Sequence, residues 1–207
     1  MAVQLIDPNA GLRLEPVVER PPGLVRESLP PSALLEPDLI RLAALRDPAT
    51  LRALVAAQRP DLAAATADGS DPMPLSGGYA LLAGRALLIG PECCGDLGDL
   101  ASWRQAAAVP TADWQEYWIG HPCMLGRHAA GEVWLSPGHE PDAEPREPAP
   151  DAPVYRLPAA ALVAAITGAE EALAAVAPRL EAALHGQFAA AAARLGTALL
   201  GRRDGQG

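Results

Sequence analysis

The sequence predicts an α+β protein, with a central antiparallel sheet of about four or five strands, N-terminal short helices and a C-terminal helical pair. Two stretches, residues 77–90 and 123–136, consist of short apolar runs separated by glycine-containing turns, which is typical of β-hairpins. From residue 158 onward, apolar side chains recur at helical spacing. Half of the 207 residues are hydrophobic, so the chain can bury a core of its own.

Composition divides the chain into four parts. These are an extended proline-rich arm (1–35), an α+β core domain (36–136), an acidic proline-rich linker (137–153) and a C-terminal helical element (154–203). Closely spaced prolines exclude a regular helix from the arm, because proline lacks an amide donor and clashes with the preceding turn. The linker has too little apolar surface to fold by itself.

Residues 37–59 are predicted to form two short helices joined at a bend. Asp38 can cap the first helix, whose apolar side would carry Leu39, Leu42, Ala43 and Leu45. Asp47 and Pro48 restart the second helix, since a capping residue is followed by proline at the first helical position. Pro60 limits its extension.

The central sheet is predicted from two hairpins and a strand at residues 116–119. In the first hairpin, strands 79–82 and 86–89 flank a turn around Gly84; a single buried helix is the alternative. A short helix through Trp103 follows, ending at Pro110. In the second hairpin, strands 123–127 and 132–136 flank the sequence HAAG, where Gly131 suits a left-handed turn position.

The C-terminal element is predicted to contain two helices. Pro158 opens the first, and Pro178 breaks it and opens the second. Either an αα-hairpin or a kinked long helix fits this pattern. Gly201 and the basic pair Arg202-Arg203 are typical of a helix end. Because the helices are rich in alanine, they can dock onto the domain or form a homodimer.

The charge balance restricts the kinds of partner. The net charge is −9, and arginine supplies all of the basic side chains because the chain has no lysine. An acidic surface repels phosphate backbones, so we expect a basic protein partner and no nucleic acid. An amino-acid composition rich in alanine, arginine and proline and lacking lysine is associated with GC-rich bacterial genomes.

Location is predicted from what the chain lacks. Its first residues do not have the basic and apolar regions of a secretory signal, and its apolar runs are shorter than the roughly 18 residues that cross a bilayer. Three cysteines do not make a disulfide framework. We therefore expect a cytoplasmic protein that does not bind membranes.

The stretches ECCGDLGD and WIGHPC contain the residues most typical of chemistry. Cys94, His121 and Cys123 are candidate metal ligands, and Cys94 with His121 is a candidate nucleophile and base. However, a CxxC pair is missing, and the side chains of neighbouring residues such as Cys93 and Cys94 normally point apart. We therefore predict structural cysteines, with no metal, no cofactor and no catalytic residue; a cysteine–histidine enzyme or metal protein is the alternative.

Binding is the more favoured role for this region. The candidate binding residues are Trp103, Trp114, Trp118, Trp134, Asp96 and Asp99. Tryptophan is enriched in binding hot spots, although large rings also fill small cores. The two aspartates, three positions apart, fit one helix face or the cap of the helix that follows. A structural subunit of a larger bacterial assembly, with the arm and linker lying across neighbours, is a further alternative.

Residues 77–136 resemble bacterial proteins related to the SUKH superfamily of small α+β domains. The resemblance is carried by the PECCGDL stretch, the tryptophan after it, the WIGHP stretch and the closing hairpin. Many members are immunity proteins that neutralise toxins. The resemblance therefore implies a non-enzymatic binding protein whose acidic surface docks a basic toxin, often a nuclease or a deaminase, and blocks its substrate site.

Overall fold

The computed structural model describes residues 2–7, 11–108 and 110–201. It confirms a mixed α+β fold, but with two five-stranded sheets in place of one central sheet. In chain order the strands are β1 (Ala2–Leu5), β2 (Leu12–Glu19), β3 (Leu34–Glu36), β4 (Leu39–Arg41), β5 (Gly77–Ala83), β6 (Ala86–Ile89), β7 (Gln115–Tyr117), β8 (Cys123–Ala129), β9 (Glu132–His139) and β10 (Pro153–Pro158). The α-helices are α1 (Pro48–Gln58), α2 (Leu62–Asp68), α3 (Leu100–Ala108), α4 (Ala159–Phe188) and α5 (Ala192–Leu199).

The chain forms two compact units. Unit 1 comprises Met1–Glu15, Gly78–Gly95 and Asp99–Glu170, and unit 2 comprises Pro16–Gly77, Asp96–Gly98 and Glu171–Gly207. Each unit is therefore assembled from segments distant in sequence, which composition alone does not reveal.

The first sheet lies in unit 1 and has the strand order β1-β10-β9-β8-β7. Strand β1 is parallel to β10, and the other neighbours are antiparallel. The predicted hairpin at residues 123–136 is confirmed as β8 and β9, with Ala130 and Gly131 at φ 53° and 82° in the turn. Two positive φ values match the twist that a two-residue hairpin turn requires.

The second sheet has the strand order β3-β4-β2-β5-β6. The predicted hairpin at residues 77–90 is confirmed as β5 and β6, and the alternative of a single helix is excluded. The described part of the proline-rich arm is extended as expected, but it does not stay outside the fold, because β1 and β2 are sheet strands. Val17 and Val18 of β2 are fully buried, so the segment belongs to the core.

Two helices were expected within residues 37–59, and the prediction of the first one is wrong. Residues 39–41 form β4, which pairs with β2, and residues 42–44 form a 3-10 turn. Ile40 and Leu42 are both fully buried with half-exposed Arg41 between them, so the segment alternates as a strand does. The second predicted helix is confirmed as α1.

Helix α1 begins at the predicted cap. The carboxylate of Asp47 accepts hydrogen bonds from the backbone amides of Ala49 and Thr50 at 3.3 and 2.9 Å, and from Thr50 Oγ1 at 2.7 Å. Pro48 occupies the first helical position. A backbone amide there has no acceptor within the helix, so the amide hydrogen that proline lacks costs no hydrogen bond. The hydroxyl of Thr50 is the largest cause that lowers the pKa of Asp47, followed by the two backbone amides.

Asp47→Ala is therefore expected to lower the thermal midpoint near neutral pH, because two helix amides lose their acceptor. The pKa of Asp47 is lower in the folded state, so its charge stabilises the fold above the ordinary value of 3.8, and this contribution disappears as the pH falls below that value. Asp47→Asn is the matched control, since asparagine caps a helix but does not titrate. Thermal unfolding from pH 2.5 to 7 checks this, and an equal loss in both variants at pH 7 would contradict a role for the charge.

The C-terminal helices differ from the predicted break at Pro178. Helix α4 continues through Pro178, because Val176 and Leu180 on either side are fully buried and outweigh the one missing amide. The chain turns instead at residues 189–191. A Cβ at Gly196 of α5 would lie 3.8 Å from the backbone nitrogen of Glu181, so α5 packs against α4. Arg202 and Arg203 lie outside the described residues.

The region Ala159–Leu199 also passes a length and hydropathy test for crossing a membrane. Its most apolar 18-residue window has a mean hydropathy of 1.6, and 33% of that window is buried within the protein. Core helices of soluble proteins meet the same criterion, so this finding does not decide the location.

Candidate protein-binding surface

The four tryptophans occupy different environments. Trp103 on α3 is fully buried, so it belongs to the core and cannot contact a partner directly. Trp114 and Trp134 are half-buried. Trp118 is 44% exposed and follows the last residue of β7. Of the four, Trp118 presents the most open indole ring.

A tight backbone corner positions Trp118. The amide of Glu92 donates to the carbonyl of Ile119 at 3.1 Å, and the amide of His121 donates to the carbonyl of Cys93 at 2.7 Å. Between these bonds lies Gly120 at φ 112°, where a Cβ would overlap the carbonyl of Glu92. The ECC and WIGH stretches therefore lie side by side, and buried Ile119 anchors the corner while Trp118 faces solvent.

Glu116 of β7 contacts the start of the predicted linker. Strand β9 extends to His139 and β10 begins at Pro153, so only residues 140–152 form a loop. Glu116 Oε1 holds the start of this loop, because it accepts from His139 Nε2 at 3.0 Å and from the amide of Asp142 at 3.1 Å. The start of the acidic, proline-rich segment is thus attached to β7.

Two exposed carboxylates lie in the loop that follows β9. His121 is three positions after Trp118, and its Nε2 lies 3.3 Å from Glu140 Oε2. The side chains of Glu140 and Glu144 are 68% and 74% exposed. Burial raises the pKa of the nearby Glu92 carboxyl, and His121 acts in the opposite direction. Glu144 also pairs with Arg146 at 3.7 Å. We call Trp118, His121, Glu140 and Glu144 the Trp118 surface, a set that contains an exposed aromatic ring and two exposed carboxylates.

The cysteines are not arranged as a metal centre. Cys93 and Cys94 are exposed and Cys123 is buried. Within residues 2–7, 11–108 and 110–201, no group of three or more His, Cys, Asp and Glu side chains is placed to hold a metal ion. Burial is the first cause that raises the pKa of Cys123, and the carboxylates of Glu116, Asp142 and Glu140 raise it further. A raised pKa disfavours the thiolate that nucleophilic chemistry or metal binding needs.

The two candidate aspartates lie at the turn before α3. Asp96 Oδ1 accepts from the amide of Gly98 at 2.6 Å and so closes the 3-10 turn Leu97–Asp99. Both aspartates are half-buried. For Asp96 this contact supports a turn-forming role, and binding by either residue stays a prediction.

The structure also shows a stack of rings and guanidinium groups that sequence reasoning missed. The guanidinium of Arg127 lies between the rings of Trp114 and Trp134, at 4.9 and 4.2 Å from their centroids. Arg156 covers Trp134 at 4.7 Å and pairs with Glu132 at 2.6 Å. Arg127, Trp134 and Arg156 are cross-strand partners, so the register of β8, β9 and β10 aligns them. The predicted four-residue turn HAAG would have placed Arg127 opposite Glu132, whereas the two-residue turn Ala130-Gly131 pairs it with Trp134.

This stack changes the interpretation of two candidate binding residues. Arginines already cover Trp114 and Trp134, and cation–π contacts of this kind stabilise a fold by about 0.5–1 kcal/mol each at exposed sites. Their positive charge is also unsuited to a basic partner. The stack is therefore better explained as sheet stabilisation than as part of the acidic surface.

Comparison with known proteins gives no match, whether to a family model, to a curated protein or to a solved structure. We therefore infer a function from the chemistry of the residues themselves.

Proposed function

We propose that the protein is a non-enzymatic binding module that docks a basic protein through the Trp118 surface. The proposal rests on the indole of Trp118, which is 44% exposed, and on the exposed side chains of Glu140 and Glu144, which pair with His121 and Arg146. Together they offer an apolar anchor and a charge for recognition.

The physical argument combines desolvation with charge. An indole buries about 150–250 Å² when fully covered, which makes tryptophan a frequent energetic centre of interfaces. Carboxylates at the rim attract a basic partner and raise its association rate. The net charge of −9 extends this attraction beyond the patch.

The resemblance of residues 77–136 to SUKH-related proteins supports an immunity-type role for this binding. The Trp118 surface lies within that segment, apart from the loop that carries Glu140 and Glu144. The partner implied is a basic toxin in the bacterial cytoplasm, such as a nuclease, whose substrate site must attract phosphate. A carboxylate-rich surface is complementary to such a site and occupies it in place of the nucleic acid.

Capture from a lysate of the native host tests the proposal. We expect the tagged chain to retain a basic protein, and Trp118→Ala to weaken its binding at least roughly thirty-fold, which corresponds to about 2 kcal/mol for a hot-spot residue. Val163→Ala is the matched control, because Val163 is 50% exposed on α4 and lies away in sequence from the Trp118 surface. Binding constants for the isolated pair, measured by calorimetry, give the fold-change.

Charge-reversal variants and added salt distinguish specific binding at this surface from non-specific binding. The double variant Glu140→Arg and Glu144→Arg is expected to lower the association rate, and added salt is expected to lower it for the unchanged chain. Capture of an acidic protein only, or equal binding by Trp118→Ala and Val163→Ala, would contradict the proposal.

A further inference from the structure

We propose that Cys93 and Cys94 are a modification site, at which a small oxidised thiol converts the two neighbouring side chains into a reversible intramolecular disulfide. The inference does not depend on the proposed binding function, because it concerns the chemistry of the pair alone.

The backbone at Cys94 departs from the extended form in which neighbouring side chains point apart. Cys94 has φ 65°, in the left-handed region that residues with a side chain seldom adopt. Both cysteines are exposed, and a hydrogen bond between their side chains is one of the causes that raise the pKa of Cys93. Strained backbone of this kind is concentrated at functional sites.

The structure shows what holds the reduced form. Cys93 Sγ donates a hydrogen bond to the carbonyl oxygen of His121 at 2.9 Å, alongside the backbone bond from the amide of His121. A disulfide sulfur has no hydrogen to donate, so oxidation removes this side-chain bond. The backbone bond remains, and we expect the corner to loosen without unfolding.

A disulfide between these residues would be easy to reduce. Consecutive Cα atoms across a trans peptide lie about 3.8 Å apart, whereas bridged cysteines usually have Cα atoms roughly 4.4–6.8 Å apart. The resulting strain raises the reduction potential of the bond. Such a bond suits reversible regulation better than permanent stabilisation, which also agrees with a reducing compartment.

Thiol–disulfide exchange supplies a balanced reaction. One cysteine loses its proton and attacks a sulfur of oxidised glutathione, which forms a mixed disulfide and releases one glutathione thiolate. The second cysteine then attacks the protein sulfur of that mixed disulfide and releases the other thiolate. The two thiol protons end on the two glutathione molecules, so the protein loses two protons and two electrons, which together equal two hydrogen atoms.

The rate is expected to rise with pH. Burial raises the pKa of Cys93, and the hydrogen bond and charge of Cys94 raise it further. Glu92 acts in the same direction, while the amide of His121 lowers the pKa. Because exchange requires the thiolate, oxidation should speed up from neutral pH to above the ordinary value of 9.0.

Mass spectrometry of the intact protein tests the inference. After treatment with oxidised glutathione and removal of excess reagent, we expect a loss of about 2 Da, corresponding to two hydrogen atoms, that dithiothreitol reverses. Of the three cysteines, only Cys123 should then react with iodoacetamide in denaturant. A peptide carrying an internal bond between Cys93 and Cys94 identifies the site.

Matched variants decide between the possible products. Cys123→Ser should still lose about 2 Da, whereas Cys93→Ser and Cys94→Ser should stop at a stable glutathione adduct. Circular dichroism establishes that each variant is folded. A stable mixed disulfide in the unchanged chain, a bond that includes Cys123, or only disulfide-linked dimers would each overturn the inference.

Discussion

Trp103→Ala is expected to lower the free energy of unfolding by about 3–5 kcal/mol, the largest effect of any single tryptophan substitution in this chain. The indole of Trp103 is fully buried on α3, so truncation leaves a cavity that the surrounding side chains fill only in part. Urea denaturation followed by circular dichroism measures the change.

Two control variants test whether the loss of stability comes from lost packing. One tests the contribution of the indole N–H group, and the other tests the loss of a tryptophan side chain at the surface. Trp103 Nε1 is buried and makes no hydrogen bond with any described group, so Trp103→Phe removes an unsatisfied donor and should cost much less than Trp103→Ala. Trp118→Ala should change the free energy of unfolding by no more than about 0.5 kcal/mol, as is usual for surface substitutions. Equal destabilisation by Trp103→Ala and Trp118→Ala would contradict the assignment of core and surface.

Gly120→Ala is expected to destabilise the protein by about 3 kcal/mol or more, since strain and steric overlap act together. The residue has φ 112°, and a Cβ there would overlap the backbone carbonyl of Glu92, which cannot rotate away. To make room for this Cβ, the ECC stretch must move away from the WIGH stretch. This movement breaks the hydrogen bond from the amide of His121 to the carbonyl of Cys93.

Gly131→Ala isolates the contribution of the backbone angle. This glycine also has a positive φ, 82°, but a Cβ there meets no heavy atom within 4 Å. We therefore expect a loss of only about 1 kcal/mol from conformational strain. Both losses come from urea denaturation under the same conditions. Similar losses of unfolding free energy for Gly120→Ala and Gly131→Ala would show that the steric overlap at Gly120 does not add to the cost of its backbone angle.

Local patterns predicted those parts of the fold that nearby residues can form by themselves. The two hairpins follow from glycines at turn positions between apolar runs, and the start of α1 follows from Asp47 and Pro48. In each case the residues that fix the backbone are at most a few positions apart. The mixed α+β class follows from the same patterns, because they identify the type of each element.

Pairing between distant segments overruled local preference elsewhere. Residues 39–41 have a helical pattern but form β4, because β2 offers backbone partners. Pro178 would end an isolated helix, yet buried neighbours on both sides keep α4 continuous. The proline-rich N-terminal segment becomes sheet strands for the same reason: its backbone groups find partners far along the chain.

The candidate site shows the same division. The sequence by itself determined which residue types are present: an acidic chain, four tryptophans and a cysteine pair beside a possible turn. Only the tertiary structure decided that Trp103 is buried, that arginines cover Trp114 and Trp134, and that Trp118 remains exposed. It also decided that Cys93 and Cys94 are both exposed and that Cys94 has a left-handed backbone. The physical reason is that exposure and side-chain contact depend on strand register and on packing between segments far apart in the chain, whereas composition and turn chemistry depend on neighbours alone.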